Sequence, residues 1–225
     1  MIIVTGASKG LGRAICERLL EKNIDVLGLA RNVTDVPFTS MSCDVSSYES
    51  VKTVVNQLKK TGAKVEGLVN AAGIASMNLA VTTPPGVAQK IINTNLLGTI
   101  YCCQIFAPLM LRNKKGSIIN FSTIAVALGL KGESIYAASK AGVEGFTRSF
   151  AREMADFNVK VNCIAPGPID TSLLKGITAE QINKIVLQQI IPRQFTPDSV
   201  ADLVEMLIDS RSDSLSGQVL HVGGA

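Results

Sequence analysis

The sequence predicts an α/β protein: a single-domain, doubly wound parallel sheet of about seven strands with helices on both faces. Three observations predict it. Short apolar runs rich in β-branched residues alternate with longer amphipathic stretches along all 225 residues, which is the strand–helix repetition of such sheets. The runs lack strict apolar–polar alternation, as strands buried on both faces do. No linker, low-complexity tract or internal repeat interrupts the pattern, so residues 1–225 read as one domain. At this length folding buries about 70 % of the chain's surface, enough for a core without staples.

Taken in order, strands are expected at 2–4, 25–29, 38–43, 67–69, 117–121, 160–164 and 218–222. Helices are expected at 11–22, 46–60, 86–111, 134–156, 179–189 and 197–209. Ser46 is the expected N-cap of the second helix, with Glu49 three residues on completing a capping box. The connection between the second and third strands is short and contains Pro37, so the crossover there is abbreviated.

Composition narrows the function. The 22 Lys and Arg against 18 Asp and Glu give a weak, dispersed excess, and the tightest basic cluster is Arg112, Lys114 and Lys115. With aromatics at 4 %, neither a basic stripe nor a stacking set for nucleic acid is present. Five cysteines, with Cys102 and Cys103 adjacent and no C-x-x-C, suit neither a disulfide framework nor a zinc site. They read as buried free thiols of a reducing compartment, and a cytoplasmic protein is expected. The single histidine, His221, leaves no material for a His-based metal site or a Ser-His-Asp triad. No apolar run is expected to reach the roughly 18 residues of a membrane span.

The first strand runs into Thr5-Gly6-Ala7-Ser8-Lys9-Gly10-Leu11-Gly12, a glycine turn that opens the first helix. Glycine permits the tight turn and lets a pyrophosphate approach bare amides at a helix N-terminus. Farther on, Asn70-Ala71-Ala72-Gly73 follows the fourth strand, and Asn95 lies in the helix over 86–111. Tyr136 and Lys140 are four residues apart on a predicted helix, so they share a face with Cβ atoms about 5–6 Å apart. A phenol titrates near 10. An ammonium at that distance favours the phenolate by roughly 3 kcal/mol, which moves Tyr136 toward useful acid–base chemistry at neutral pH.

The glycine spacing G-x-x-x-G-x-G, the Asn-Ala-Ala-Gly element, Asn95, Tyr136-Ala137-Ala138-Ser139-Lys140 and Pro166-Gly167 with Thr171 beyond are in one order along the chain. In that order the sequence resembles the short-chain dehydrogenase/reductases over essentially its whole length. In pattern it looks most like bacterial 3-oxoacyl-[acyl-carrier-protein] reductases. The resemblance implies a Rossmann-type fold, a nicotinamide dinucleotide, and hydride transfer between the nicotinamide and a carbonyl or secondary alcohol. Tyr136 would be the acid/base, with Lys140 tuning it and binding the nicotinamide ribose, and Asn95 would hold a water of a proton relay. The family's carbonyl-polarising serine lies thirteen residues before the tyrosine, a position that Thr123 occupies here. Thr123 is therefore the expected oxyanion donor, and Ser122 is the alternative.

The implied cofactor-binding set is Gly6, Ser8, Lys9, Gly10, Leu11, Gly12, Arg31, Asp44, Val45, Asn70, Ala71, Ala72, Gly73, Tyr136, Lys140, Pro166, Gly167, Ile169 and Thr171. Asp44 and Val45 would border the adenine. At the end of the second strand stand Ala30 and Arg31, with no acid, and Lys9 lies in the glycine turn. Two cations without a carboxylate favour a 2′-phosphate, hence NADP(H). The expected substrate is a small or carrier-bound carbonyl compound, with a 3-oxoacyl thioester first and a small ketone or polyol as the alternative. Lys114 and Lys115 are expected beside the cleft to meet an acidic carrier protein, while Phe157 stands where the reductases often carry a basic residue. A non-catalytic dinucleotide-bound sensor is the competing class, against which both Tyr136 and Lys140 are retained. Apolar residues on several faces of two helices (Leu96, Ile100, Phe106; Val143, Phe146, Phe150) imply a homo-oligomer, tetramer or dimer.

Overall fold

The computed structural model describes residues 1–171, 174 and 176–225. Seven strands, β1 (Ile2–Thr5), β2 (Val26–Ala30), β3 (Thr39–Ser42), β4 (Gly67–Asn70), β5 (Gly116–Phe121), β6 (Val159–Pro166) and β7 (Val219–Val222), form one sheet in the order β3-β2-β1-β4-β5-β6-β7. All six pairings are parallel. Residues 31–38, between β2 and β3, contain no helix, so the abbreviated crossover expected around Pro37 is present.

The helices are α1 (Gly10–Glu21), α2 (Tyr48–Thr61), α3 (Pro85–Ile92), α4 (Gly98–Leu111), α5 (Ala125–Leu128), α6 (Ser134–Ala155), α7 (Ala179–Val186) and α8 (Pro197–Ile208). Alternation along β1 feeds two cores. Ile3 packs on one face with Val51, Val54 and Leu58 of α2, Phe106 and Met110 of α4, and Phe150 and Met154 of α6. Ile2 and Val4 pack on the other face with Ile15 and Leu19 of α1 and Val200 and Val204 of α8. The two-sided burial explains why the strands read as unbroken apolar runs.

Several sequence expectations need correction. The helix expected over 86–111 is interrupted by a π-helical turn, Asn93–Leu97, between α3 and α4. Such a turn frees a backbone group from the ladder and is common at functional sites. The cap of α2 is Ser47 rather than Ser46, and its side chain accepts from the Ser50 amide. Ser46 is taken by Asp44, to whose carboxylate it donates from both its amide and its hydroxyl, so Glu49 has no box to complete. The short α5, ending on left-handed Gly129, was not foreseen.

The continuous helical run Pro85–Leu111 is long and apolar enough by length and composition to cross a membrane, with mean hydropathy 1.3. That overturns the expectation that no segment approaches a span. In the fold its α4 portion lies against the sheet, with Cys102, Cys103 and Phe106 fully buried. Its α4 portion is apolar all round because it is a core helix. All five cysteines are free and buried.

Candidate active site

The strand order reverses between β1 and β4, because the chain leaves β1 for β2 on one side and returns to β4 on the other. The crevice outside the carboxyl ends of strands at such a switch point is where doubly wound sheets hold ligands. Here it is a cleft of about 750 Å³, within the usual range for a small-molecule site. Segments following β1, β2, β3, β4, β5 and β6 all contribute to its lining.

After β1 comes the glycine turn. Gly6 has φ +72°, and a Cβ there would lie 2.8 Å from the Ala72 Cα. A Cβ on Gly12 would lie 2.4 Å from the Gly6 carbonyl oxygen. Both glycines are demanded by close approach of backbone to backbone. Gly10, with φ +58°, faces across the cleft, and a Cβ on it would project to 3.5 Å from Thr171. The N-cap of α1 is Lys9, without a side-chain capping bond, and the first turn contains no acid. The amides at the start of α1 are therefore left for a ligand, and the bare glycine floor and helix dipole suit a pyrophosphate. Ser8, Lys9 and Leu11 line the same region.

The ends of β2 and β3 supply Arg31, Asn32, Asp44 and Val45 to the cleft. Lys9 and Arg31 are both exposed, and no carboxylate stands between Ala30 and Asn32. The Asp44 carboxylate is already engaged by Ser46 through Oδ1.

After β4, Ala71, Ala72 and Gly73 line the cleft, and the Thr5 hydroxyl fastens this segment by accepting from the Ala72 amide at 3.1 Å. Asn70 does not join them. Its side chain is buried beneath the sheet, donating to Asn120 Oδ1 at 2.9 Å and to the Cys103 sulfur at 3.3 Å. The period of two along β4 turns Asn70 to the α4 side, so its expected role as a direct cofactor ligand is not supported by its side chain. Asn95 is likewise fully buried, in the π turn. Its amide donates to the Ile74 carbonyl and to Ser139 Oγ, and its Oδ1 accepts from the Ile74 amide. These bonds tie the segment after β4 to α6.

The end of β5 and the start of α6 hold the remaining chemistry. Thr123, Tyr136 and Lys140 line one cleft. The Thr123 hydroxyl accepts from the Ala125 amide at 3.3 Å and lies near enough to the Tyr136 phenol to favour its ionised form. Ser122 lines the cleft with its backbone neighbours, but its hydroxyl is committed behind it, donating to Glu144 at 2.7 Å. Lys140 is buried, and its ammonium donates to the Phe121 carbonyl at 2.8 Å. Burial sets both titrations. It pushes the Tyr136 phenol above its usual 10, with the Glu133 carboxylate adding to the rise and Thr123 opposing it. It lowers Lys140 from 10.5 to about 8. The expected acidification of Tyr136 by Lys140 is thus reversed in the free protein, because desolvation outweighs the attraction of two charges it also penalises.

After β6, Pro166, Gly167, Ile169 and Thr171 line the cleft. Gly167 is held tightly, since a Cβ on it would collide with the Gln189 Oε1. Gln189 is buried, and its amide donates to the Arg193 carbonyl at 2.9 Å. Lys114 and Lys115 lie elsewhere. They precede β5, so the length of that strand, roughly 20 Å, separates them from the cleft at its carboxyl end. In a parallel sheet every helix-to-strand loop falls on the edge opposite the ligand crevice, which rules out the expected position beside it.

With this geometry in view, comparison with known proteins is decisive. Residues 1–182 match the short chain dehydrogenase family. The chain belongs to the short-chain dehydrogenases. It is 34 % identical to the 3-oxoacyl-[acyl-carrier-protein] reductase of Vibrio cholerae, covering 99 % of this chain and 95 % of that relative. In structure this short-chain dehydrogenase superposes on the ligand-free aldohexose dehydrogenase of Thermoplasma acidophilum with TM-score 0.91 and 31 % identity, over 99 % and 92 % of the two chains. It also superposes on ElxO with NADP bound, with TM-score 0.87 and 28 % identity, over 98 % and 96 %.

Sequence reasoning missed part of this dehydrogenase's cleft. Ile74, Leu130, Leu174, Ile177, Ile182 and Ile185 give it an apolar wall. Such residues are indistinguishable from core by pattern alone. Glu133 also lines it, and its place three residues before Tyr136 on a helical face was the available signal.

Proposed function

We propose that this short-chain dehydrogenase is an NADP(H)-dependent oxidoreductase acting on a carbonyl or secondary-alcohol substrate. The observation that carries the reading is the convergence of Thr123, Tyr136 and Lys140 on one cleft whose other half is the glycine turn. The dinucleotide would be held by the turn from Gly6 to Gly12, by Ala71–Gly73, and by Lys140 and the segment from Pro166 to Thr171. Bound there, the nicotinamide supplies or accepts the hydride.

Tyr136 moves the proton to or from the substrate oxygen, and Thr123 donates a hydrogen bond to that oxygen, stabilising charge that develops on it. Lys140, raised toward its charged form when it gains ribose hydroxyls as partners, holds the ribose and favours the phenolate through-space. Asn95 holds α6 against the segment after β4, keeping Lys140 in register with Gly73, on which a Cβ would lie 3.6 Å from the Lys140 ammonium.

Lys9 and Arg31, without a competing acid, support the preference for a 2′-phosphate, and the similarity to an NADP-bound structure is in keeping with it. Initial rates with NADPH and NADH on one reducible substrate test this. NADPH is expected to give kcat/KM at least tenfold higher, and equal or better performance with NADH refutes the preference.

For substrate, the relative's name and the apolar wall support a 3-oxoacyl thioester, although the displaced Lys114 and Lys115 remove the electrostatic argument for a carrier protein. A second reading, a hydroxylated carbonyl compound, is favoured by Glu133 in the same cleft. The same proposal includes a homo-oligomer, tetramer or dimer. Phe106, Val143 and Phe150 are spent on the chain's own core, while Leu96, Ile100 and Phe146 stay half-buried. It also includes residence in a reducing cytoplasm, where five buried thiols stay free.

A further inference from the structure

Glu133 is the residue immediately before α6, and its side chain does not cap the helix. Among the described residues its carboxylate has neither a hydrogen-bond donor nor an ion-pair partner. It lines the cleft together with Tyr136 and is close enough for its charge to act on the phenol. The cleft lining includes an apolar group, Ile74, Leu130, Ile177, Ile182 and Ile185, besides polar residues such as Gln89 and Lys90 that make no hydrogen bond or ion pair with Glu133. Water satisfies the carboxylate while the cleft is open. A substrate that enters expels that water, and an acid left facing hydrocarbon then loses its hydration without return. Burial already holds the Glu133 carboxyl above its usual range, a sign that its charge is under-solvated before any ligand arrives.

We infer that Glu133 is a specificity-determining acceptor that selects substrates bearing a hydroxyl group next to the reacting carbonyl. This rests on the oxidoreductase reading and deepens it, naming a hydroxylated ketone, aldehyde or polyol as the substrate class of the same site. A site built to hydrogen-bond a substrate hydroxyl rejects the analogue lacking it strongly, because the unpaired group stays behind in the protein. An all-apolar acyl chain would leave Glu133 in that unpaired condition. A vicinal hydroxyl would satisfy it and damp its repulsion of the Tyr136 phenolate.

The test is a matched pair, 2-hydroxycyclohexanone and cyclohexanone, reduced with NADPH by the wild type, Glu133→Gln and Glu133→Leu. The wild type is expected to favour the hydroxyketone in kcat/KM by at least tenfold, with the difference mostly in KM. Glu133→Gln keeps an acceptor and should retain part of that ratio, and Glu133→Leu should erase or invert it. An absent preference in the wild type, or one that Glu133→Leu leaves intact, overturns the inference while the oxidoreductase reading stands. A wild type that reduces neither ketone, nor any other carbonyl tried, overturns both. Thermal unfolding of each variant with and without NADPH separates lost folding from lost selectivity.

Discussion

At the scale of single residues, the chemistry of Tyr136 and Lys140 is governed by solvent access. Their pairing at i and i+4 was legible, since helical spacing alone places them on one face. Their titration was not, because a sequence gives distances along a helix but not how much water reaches its face. The consequence is measurable. Lys140 falls from 10.5 unfolded to about 8 folded, so the folded protein binds this proton less tightly and its burial as an ammonium destabilises by about 3 kcal/mol below pH 8. Between about pH 8 and 10.5 the unfolded chain holds a proton that the folded one has released, and stability from this group rises with pH. Denaturant titration of ligand-free Lys140→Met is expected to show a variant at least as stable as wild type at pH 7, losing that advantage by pH 10. A wild type whose stability relative to the variant stays level from pH 7 to 10 would show that Lys140 titrates normally.

At the scale of elements, Ser122 and Thr123, just past the end of β5, both line the cleft, but their hydroxyls are not equally free. The Ser122 hydroxyl is committed to Glu144, while the Thr123 hydroxyl accepts only a weak bond from the Ala125 amide and favours ionisation of the Tyr136 phenol. The family resemblance, counted thirteen residues back from the tyrosine, also selects Thr123. Thr123→Ala is expected to lower kcat by about 10²–10³ with the fold intact. Ser122→Ala is expected to leave kcat within a few-fold but to cost about 1–3 kcal/mol of stability, because buried Glu144 loses the donor to its Oε1 and keeps only Arg148, on Oε2. Steady-state kinetics beside thermal unfolding separates the two, and the reverse pattern would assign the oxyanion to Ser122. Other element-scale features were hidden for physical reasons. The π turn at Asn93–Leu97 changes the backbone ladder without a Pro or Gly to announce it. Ser46 and Ser47 are equally good caps until a local turn, with Asp44 accepting from Ser46 two residues on, takes the first. Asn70 adjoins the cleft-lining Ala71 and Ala72 in sequence, yet strand alternation turns its side chain the other way.

At the scale of the whole molecule, the fold class and the succession of strands and helices are what the sequence conveys best. Unbroken apolar runs separated by amphipathic stretches allow few topologies once crossovers are short and right-handed. All seven strands and the large helices, with boundaries shifted by a few residues, follow from that. The same topology shows why Lys114 and Lys115 were misplaced: they are near the site in no sense except order along the chain. It also shows why the apolar wall went unread, since cleft-facing and core-facing leucines and isoleucines differ only in what lies opposite them. The cleft at the β1/β4 switch point collects the ends of six strands, and the account as a whole stands on Tyr136 delivering a proton there while a bound dinucleotide supplies hydride. The direct measurement is NADPH oxidation over a panel of carbonyl compounds, including a 3-oxoacyl thioester and a hydroxyketone, by wild type and Tyr136→Phe. The account predicts turnover by the wild type and a loss of about 10²–10⁴ in kcat in the variant, with NADPH still protecting both against unfolding. Equal turnover by Tyr136→Phe would contradict it.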